Sequence, residues 1–264
     1  MNRITQCMHG RGTVSDVMKH RQGRSGEVPS RYLAFSGMPR PVIFWNLTDR
    51  CNLSCVHCYS RSGPGHDTSG ELNTGEALDL IDDLAGSGVP LILFSGGEPL
   101  LRHDLWELAR HARDRGIRTA LSTNGTLIDK EMAEKIHESG IEYVGISLDG
   151  ATAATHDRFR GIPGAFDRSI GAFSHCLDSG VRCGVRVTLT RENAGELGPL
   201  IDLARHIGAS RFCLYWLVPS GRGREGYARL QLGRQEVQDA LDLLYWNAKE
   251  TAPGAMEFLT VDAP

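Results

Sequence analysis

Long apolar runs are absent from this sequence of 264 residues. No stretch of about 18 consecutive apolar residues occurs, which a helix would need to cross a bilayer. The opening residues Met1 to Gly12 are polar and lack the apolar centre of a secretory signal peptide. These absences favour a cytoplasmic protein with no membrane partner.

A large excess of charge of either sign is also absent. The formal net charge is −3, and the basic residues between Lys19 and Arg40 are balanced by acidic residues further along the chain. Such a local strip is typical of a solvated face, so we expect no nucleic-acid partner. With 41% hydrophobic residues, the chain can build a core without disulfide bonds.

The cysteines are unevenly placed along the chain. Three of the seven cysteines, Cys51, Cys55 and Cys58, lie within eight positions. An odd total with such a cluster does not suit a secreted disulfide framework and favours metal or redox chemistry in a reducing compartment. The remaining cysteines are scattered, and we expect buried apolar roles for them. They are Cys7, Cys176, Cys183 and Cys213.

From residue 41 onward, apolar runs alternate with amphipathic stretches. The apolar or β-branched runs predict strands. They are Val42–Leu47, Pro90–Phe94, Thr119–Ser122, Tyr143–Ser147, Gly184–Leu189 and Phe212–Leu217. The amphipathic stretches predict helices at Thr74–Gly86, Asp104–Arg115, Asp129–Ser139, Ala165–Ser179, Ala194–Ile207 and Arg234–Lys249.

This alternation predicts an α/β fold in which right-handed βαβ crossovers build a parallel sheet. Six such units would form a partial (β/α)6 TIM-like barrel, with a flat doubly wound sheet as the alternative. Residues 41–264 would make up this core domain. Residues 1–40 have no sustained periodicity and predict an N-terminal arm or cap with one short helix near Val14–His20. In either architecture, the loops that follow the strands would build the active site.

The densest chemical motif follows the first predicted strand, at Cys51-Asn52-Leu53-Ser54-Cys55-Val56-His57-Cys58-Tyr59. Three thiolates in one loop would leave one iron of a cubane cluster open. A structural zinc site normally takes four protein ligands, and no second CxxC pair occurs. His57 would be the fourth zinc ligand, but its place beside Cys58 makes simultaneous ligation awkward. The loop therefore favours an iron–sulfur cluster, with structural zinc as the alternative.

The CxxxCxxC spacing, with the aromatic Tyr59 after the last cysteine, resembles the radical S-adenosylmethionine (SAM) superfamily. The resemblance implies a barrel of the radical SAM type in which Cys51, Cys55 and Cys58 hold a catalytic [4Fe–4S] cluster. SAM would chelate the open iron, and an electron from the cluster would break its sulfur–C5′ bond. The 5′-deoxyadenosyl radical would then abstract a hydrogen from the substrate. A low-potential ferredoxin or flavodoxin is the expected electron donor.

Further motifs follow the later strands. The glycines of Gly96-Gly97-Glu98-Pro99 permit close backbone approach, and in the resembling family this segment faces the SAM ammonium group. The Ser-Thr-Asn-Gly and Ser-Leu-Asp-Gly segments offer hydroxyl, amide and carboxylate groups, although both are also ordinary turn sequences. The residues that the resemblance assigns to the SAM pocket are Tyr59, Gly96, Gly97, Glu98, Pro99, Ser122, Asn124, Ser147, Asp149, Arg160, Arg186 and Leu217.

Two of these residues are arginines with open alternatives. Arg160 matches a position that resembling enzymes use against the SAM carboxylate, and an exposed charge at a helix start is its alternative. Arg186 is a charge within the apolar run of the fifth strand. It should be paired, either with SAM or with a structural carboxylate.

The segment from Tyr215 to Arg224 combines an aromatic pair with a glycine- and arginine-rich loop. It could stack the adenine of SAM and present cations to an acidic substrate, or be an ordinary strand-to-helix turn. With Trp45–Arg50 and Ile146–Gly161, its Val218–Gly223 part resembles radical SAM enzymes of the alternative haem and haem d1 pathways.

Those enzymes remove acetate or propionate carbons from sirohaem-derived tetrapyrroles, and Arg222 and Arg224 would suit such polycarboxylates. We therefore expect a tetrapyrrole substrate and a protein similar to the didecarboxysirohaem deacetylases. The alternatives are a haem-forming decarboxylase, a maturase of a peptide or a tungsten enzyme, and a non-catalytic iron–sulfur or SAM-binding protein. Resembling proteins usually continue into a cysteine-rich domain with an auxiliary cluster, whereas this sequence stops at Pro264. We expect either a portion of a longer protein or a member without the second cluster.

Overall fold

The computed structural model describes residues 2–9, 41–252 and 254–261, and these contain one sheet. Its strands lie in the order β1-β8-β7-β6-β5-β4-β3-β2; neighbours from β2 to β8 are parallel, and β1 is antiparallel to β8. The strands are β1 (Asn2–Arg3), β2 (Val42–Asn46), β3 (Leu91–Ser95), β4 (Arg118–Thr123), β5 (Ile141–Ser147), β6 (Arg182–Leu189), β7 (Arg211–Trp216) and β8 (Glu257–Val261). The sheet curls into a half-barrel.

Helices connect the strands. They are α1 (Ile4–His9), α2 (Thr74–Gly86), α3 (Leu105–Asp114), α4 (Lys130–Ser139), α5 (Ala153–Arg160), α6 (Ala165–Asp178), α7 (Leu197–His206), α8 (Gly221–Glu225), α9 (Tyr227–Leu230) and α10 (Arg234–Glu250), with short 3-10 helices at Pro99–Leu101 and Ala194–Glu196. No helix in the described ranges is long and apolar enough to cross a membrane.

Helix starts follow from local capping. The Asn73 side chain accepts a hydrogen bond from the Glu76 amide, and the Glu76 carboxylate accepts one from the Asn73 amide, so α2 begins with a capping box. Asp129 caps α4 with a single bond, in which its side chain accepts a hydrogen bond from the Met132 amide. Gly161 ends α5 in the left-handed conformation that glycine adopts without steric cost.

Alternate residues of each strand serve the two faces of the sheet. On the convex face, Phe94, Leu121, Ile146, Val185 and Phe212 are buried against the helices in the main hydrophobic core. The concave face carries a smaller apolar cluster of Leu93, Ala120 and Tyr143, together with polar side chains. The core therefore lies between sheet and helices, which leaves the concave face for function.

The predicted half-barrel is confirmed, and the flat alternative is wrong. A doubly wound sheet reverses its strand order at a switch point, whereas β2 to β8 follow one another in chain order. Besides the 3-10 helix at Pro99–Leu101, six elements escaped prediction: the two-residue β1, the short helices α1, α5, α8 and α9, and strand β8, which begins with the charged Glu257. The predicted helix at Val14–His20 lies outside the described residues.

A buried ion pair anchors the segment between β3 and α3. The Arg102 guanidinium donates to the Asp104 carboxylate at 2.6 Å and to the carbonyl oxygens of Leu47 and Leu72 at 2.8 Å each. The Thr74 hydroxyl also donates to the Asp104 carboxylate, at 2.8 Å. One guanidinium thereby joins the end of β2 to the start of α2 and to α3.

We predict that Arg102→Met lowers the free energy of unfolding by about 3–5 kcal/mol, because it leaves a buried carboxylate and two carbonyl groups unpaired. Chemical denaturation checks this. Arg113→Met is the matched control, since Arg113 pairs with Asp114 at the surface and should cost about 1 kcal/mol or less. Equal losses in the two variants would contradict the structural role of Arg102.

Candidate active site

The three clustered cysteines lie in the loop after β2, at the carboxyl end of the sheet. Cys51 and Cys55 are buried and Cys58 is half-buried, with the fully buried Leu53 beneath them. The Val56 amide donates to the Phe159 carbonyl at 3.1 Å, which fixes the loop against the end of α5. We call residues 51–63 the cluster loop.

Each of the three sulfurs has a polar group beside it. The Leu53 amide and the Asn124 side-chain amide lie 3.4 and 3.9 Å from Cys51 Sγ. Arg160 Nη1 lies 3.6 Å from Cys55 Sγ, and the Ser60 hydroxyl lies 3.5 Å from Cys58 Sγ. Hydrogen-bond donors of this kind stabilise ligating thiolates and tune cluster potentials. The loop therefore suits three iron-bound sulfurs.

Burial works against free thiolates in this loop. It raises the pKa of Cys51 to about 12, and it also raises the pKa of Cys55, although the Arg160 charge opposes that rise. Cys51 and Cys55 are thus neutral thiols in the absence of a metal, and a bound metal must displace their protons. In the described part of the chain, no three Cys, His, Asp or Glu side chains converge on one ion. A cubane cluster does not require such convergence, because each thiolate binds a separate iron.

The double glycine after β3 lets two backbones meet. The Gly97 amide donates to the Thr48 carbonyl at 2.6 Å, and the Glu98 amide donates to the Arg50 carbonyl at 2.8 Å. A Cβ atom at Gly97 would lie 2.2 Å from the Arg50 oxygen, and Gly96 has a φ of 134°. The glycines are therefore required, because the turn after β3 must approach the residues that lead into Cys51 this closely.

The Glu98 carboxylate links the ends of β3 and β4. It is fully buried and accepts hydrogen bonds from the Thr123 hydroxyl at 2.7 Å and from the Asn124 amide at 2.9 Å. Burial raises the pKa of Glu98 to about 7, and these donors limit the rise. Its contact with the SAM ammonium group stays a prediction. Pro99 is buried behind it, at the start of the 3-10 helix.

Asn124 is held so that its side-chain amide reaches the cluster loop. It donates to Asn52 Oδ1 at 2.8 Å, and its own Oδ1 accepts from the Thr126 hydroxyl at 2.6 Å. Ser122 and Ser147 lie on the concave face and are partly exposed. All three residues follow or end the strands on which the sequence analysis placed them.

Asp149 and Arg160 form a buried ion pair beside Cys55. Asp149 Oδ1 also accepts from the Thr188 amide at 2.7 Å, and the Asp149 amide donates to His156 Nδ1 at 3.1 Å. Arg160 ends α5 and is 7% exposed, so the alternative of an exposed charge at a helix start is wrong. Its Nε has no partner among the described residues.

The glycine- and arginine-rich segment clamps the cluster loop. Arg222 donates to the carbonyl oxygens of Cys55 at 2.7 Å, Arg61 at 3.0 Å and Ser62 at 2.8 Å. A Cβ atom at Gly221 would lie 2.4 Å from the Cys58 carbonyl oxygen. The interpretation of Arg222 as a substrate cation is therefore corrected, because the loop carbonyls occupy its guanidinium. Arg224 is exposed.

The aromatic residues near the site differ in what they face. Trp216 is buried in the main core and donates to the Thr260 hydroxyl at 2.9 Å, so it cannot stack on a ligand of the concave face. Tyr215, one residue earlier, lies on that face. Tyr59 is 47% exposed and donates to Asn46 Oδ1 at 3.0 Å, and Leu217 is half-buried.

Several contacts that support the loop were not predicted from the sequence: those of Asn52, Ser60 and Thr123, and the clamp formed by Arg222. Asn52 and Ser60 lie in or beside the cysteine motif but have side chains of ordinary turn type. For Arg222, a signal was present, because flanking glycines on both sides indicate close backbone approach.

The three-cysteine loop at the carboxyl end of a parallel half-barrel defines a class of iron–sulfur enzyme. The profile of the Radical SAM superfamily matches residues 45–204, which is more than half of the chain. The chain therefore belongs to the Radical SAM superfamily.

Two relatives of known name are similar to this chain over most of its length. Fe-coproporphyrin III synthase of Methanosarcina barkeri is 44% identical over 254 residues, covering 95% of this chain and 63% of that protein. Pre-heme d1 synthase of Dinoroseobacter shibae is 41% identical over 218 residues, covering 83% and 53%. The chain thus spans roughly half to two thirds of the length of these relatives.

A solved structure agrees on the fold. Streptococcus suis SuiB bound to S-adenosylmethionine superposes with a TM-score of 0.68 at 18% identity, covering 84% of this chain and 51% of that one. At this identity, the likeness supports the half-barrel architecture alone.

We predict that Arg222→Met lowers the affinity of the cluster loop for iron by about 10- to 100-fold, as loss of a residue that orients metal ligands commonly does. Iron per chain after anaerobic reconstitution and dialysis against a chelator measures this. Arg224→Met, at the exposed neighbouring arginine, is the control and should retain iron like the unaltered protein. Full iron retention by Arg222→Met would show that the clamp is dispensable.

Proposed function

We propose that this chain is the catalytic core of a radical SAM enzyme that removes acetate side chains from a sirohaem-derived tetrapyrrole. The observation that carries this proposal is the cluster loop, where three cysteines meet hydrogen-bond donors at the mouth of the half-barrel. When bound, a [4Fe–4S] cluster supplies the electron that splits SAM and generates the 5′-deoxyadenosyl radical, which takes a hydrogen atom from the substrate.

The chain's own residues would bind and orient this chemistry. Cys51, Cys55 and Cys58 would hold the cluster. Arg160, next to Cys55 Sγ, would offset the negative charge of that thiolate. Asp149 keeps the Arg160 guanidinium in place, because the two form a buried pair. The Gly96–Gly97 turn and the Arg222 clamp would keep the loop in one conformation as electrons arrive. A low-potential ferredoxin or flavodoxin would deliver them.

The tetrapyrrole substrate is inferred from the relatives. The protein with 44% identity is named for iron coproporphyrin III, a porphyrin that carries propionate but no acetate side chains. Making it from didecarboxysirohaem requires loss of acetate groups, which supports a deacetylase. The identity extends over 95% of this chain and so includes the concave face as well as the cluster loop. A peptide-modifying maturase is the second candidate.

We predict that the reconstituted, dithionite-reduced chain gives one [4Fe–4S]⁺ electron paramagnetic resonance signal that shifts when SAM is added. It should also release 5′-deoxyadenosine. Cys58→Ser should abolish both, because serine does not replace a thiolate ligand. Cys176→Ala is the matched control, since Cys176 is buried in α6 away from the loop. Bound zinc without such a signal would contradict the radical SAM activity and support the alternative of a structural zinc site.

For the substrate, we predict that anaerobic incubation with didecarboxysirohaem, SAM and reductant yields a product lighter by the carbons of acetate groups. Mass spectrometry checks this, and Cys58→Ser should leave the tetrapyrrole unchanged. Abundant 5′-deoxyadenosine beside unaltered didecarboxysirohaem would reject the deacetylase and favour a peptide or another porphyrin. Absence of 5′-deoxyadenosine from a fully loaded cluster would reject the enzyme itself.

A further inference from the structure

Arg186 extends from β6 over the concave face of the sheet. The register places it between Ser147 of β5 and Cys213 of β7. A Cβ atom at Gly145 would lie 2.5 Å from Arg186 Cδ, so this glycine of β5 leaves the space that the arginine side chain occupies. The arginine is partly exposed on this face.

Tyr215 holds the Arg186 guanidinium from the neighbouring strand. The guanidinium carbon lies 4.4 Å from the centre of the Tyr215 ring, a cation–π contact that orients the planar group. The Tyr215 hydroxyl oxygen is buried beside the Cys213 thiol and makes no hydrogen bond of good geometry with the described residues. Two oriented polar groups therefore lie together on this face.

No carboxylate of the described chain pairs with Arg186, which forms neither an ion pair nor a hydrogen bond there. The buried carboxylates of the barrel all have other partners: Asp149 pairs with Arg160, Glu257 pairs with Arg211, and Glu98 bonds to Thr123 and Asn124. Among the described residues, none supplies the structural carboxylate that was the alternative partner of Arg186. The concave face thus carries a guanidinium that no carboxylate of the described residues occupies, and a ligand anion could pair with it.

We infer that Arg186 and the Tyr215 hydroxyl bind a carboxylate of the substrate inside the half-barrel. The planar guanidinium matches a carboxylate through two parallel hydrogen bonds. This inference rests on the proposed function and adds the residue that would anchor one acidic side chain of the macrocycle.

We assign this site to the substrate rather than to SAM because Tyr215 of β7 holds the Arg186 guanidinium, although Ser147 of the expected SAM pocket lies beside Arg186 in the register. SAM would bind at the cluster loop, and the guanidinium beside a sulfur of this loop is that of Arg160, with Nη1 3.6 Å from Cys55 Sγ. Arg186 lies on β6, two strands around the sheet from β4, which leads to Asn124. On β2, at the opposite side of the concave face, Val42 and Phe44 are 38% and 57% exposed. Apolar side chains on one side and a cation on the other suit an apolar ring system with acidic substituents.

The experiment measures binding of iron coproporphyrin III by absorbance titration to the cluster-loaded protein. Its amide derivative, in which every carboxylate is a neutral carboxamide, serves as the second probe. We expect Arg186→Gln to weaken binding of the acid by about tenfold or more, as loss of a charge-assisted pair does, and to leave binding of the amide within about twofold. Tyr215→Phe should weaken binding of the acid less, and Arg186→Lys should restore it in part.

Arg182→Gln is the matched control, because Arg182 lies on the same strand and the same face as Arg186, four residues nearer the amino end of the strand. It should bind both probes like the unaltered protein. The SAM-induced shift of the cluster's paramagnetic signal is recorded in parallel and should persist in Arg186→Gln.

Three results would overturn the inference. If Arg186→Gln binds the acid like the unaltered protein, the proposed function survives and this anchor does not. If the SAM-induced shift disappears while porphyrin binding persists, Arg186 holds the SAM carboxylate instead. If the unaltered protein binds neither probe, the tetrapyrrole function itself fails and the anchor fails with it.

Discussion

The close approach of two backbones, where Gly97 meets Arg50, is the contact on which the rest of the site depends. Hydrogen bonds of 2.6 and 2.8 Å join the turn after β3 to the segment that leads into Cys51. A side chain at Gly97 would separate them, since its Cβ would overlap the Arg50 carbonyl. The parallel sheet brings the two loops to the same edge, and the glycines, which have no side chains, allow their backbones to make contact.

Several charged side chains around this contact have hydrogen-bond or ion-pair partners. Glu98 joins the ends of two strands, Asp149 and Arg160 pair beside Cys55, and Arg222 is occupied by main-chain carbonyls. Since a buried charge is tolerated only when it is compensated, these pairs limit which groups can serve a ligand. Arg160 stays close to the sulfurs, whereas Arg186 extends over the concave face.

Strand and helix periods predicted the half-barrel, since six of its strands contain an apolar or β-branched run and the long helices between them are amphipathic. The cysteine spacing similarly predicted the loop that holds the metal. Strands that depend on tertiary contacts escaped prediction. Strand β1 is too short to show a period, and β8 depends on pairing with β7. The sequence marked Arg222 as a cation but did not show which oxygens it would meet, because Cys55 and Arg222 are 167 positions apart.

That separation bears on the order in which the protein matures. The clamp on the cluster loop comes from the segment after β7, so synthesis must pass residue 222 before the loop can close. Domains fold as units, and contacts of this length form late because much of the chain must be ordered first. Until residue 222 has been synthesised and has reached the loop, a nascent chain therefore lacks the contact that holds the carbonyl group of Cys55.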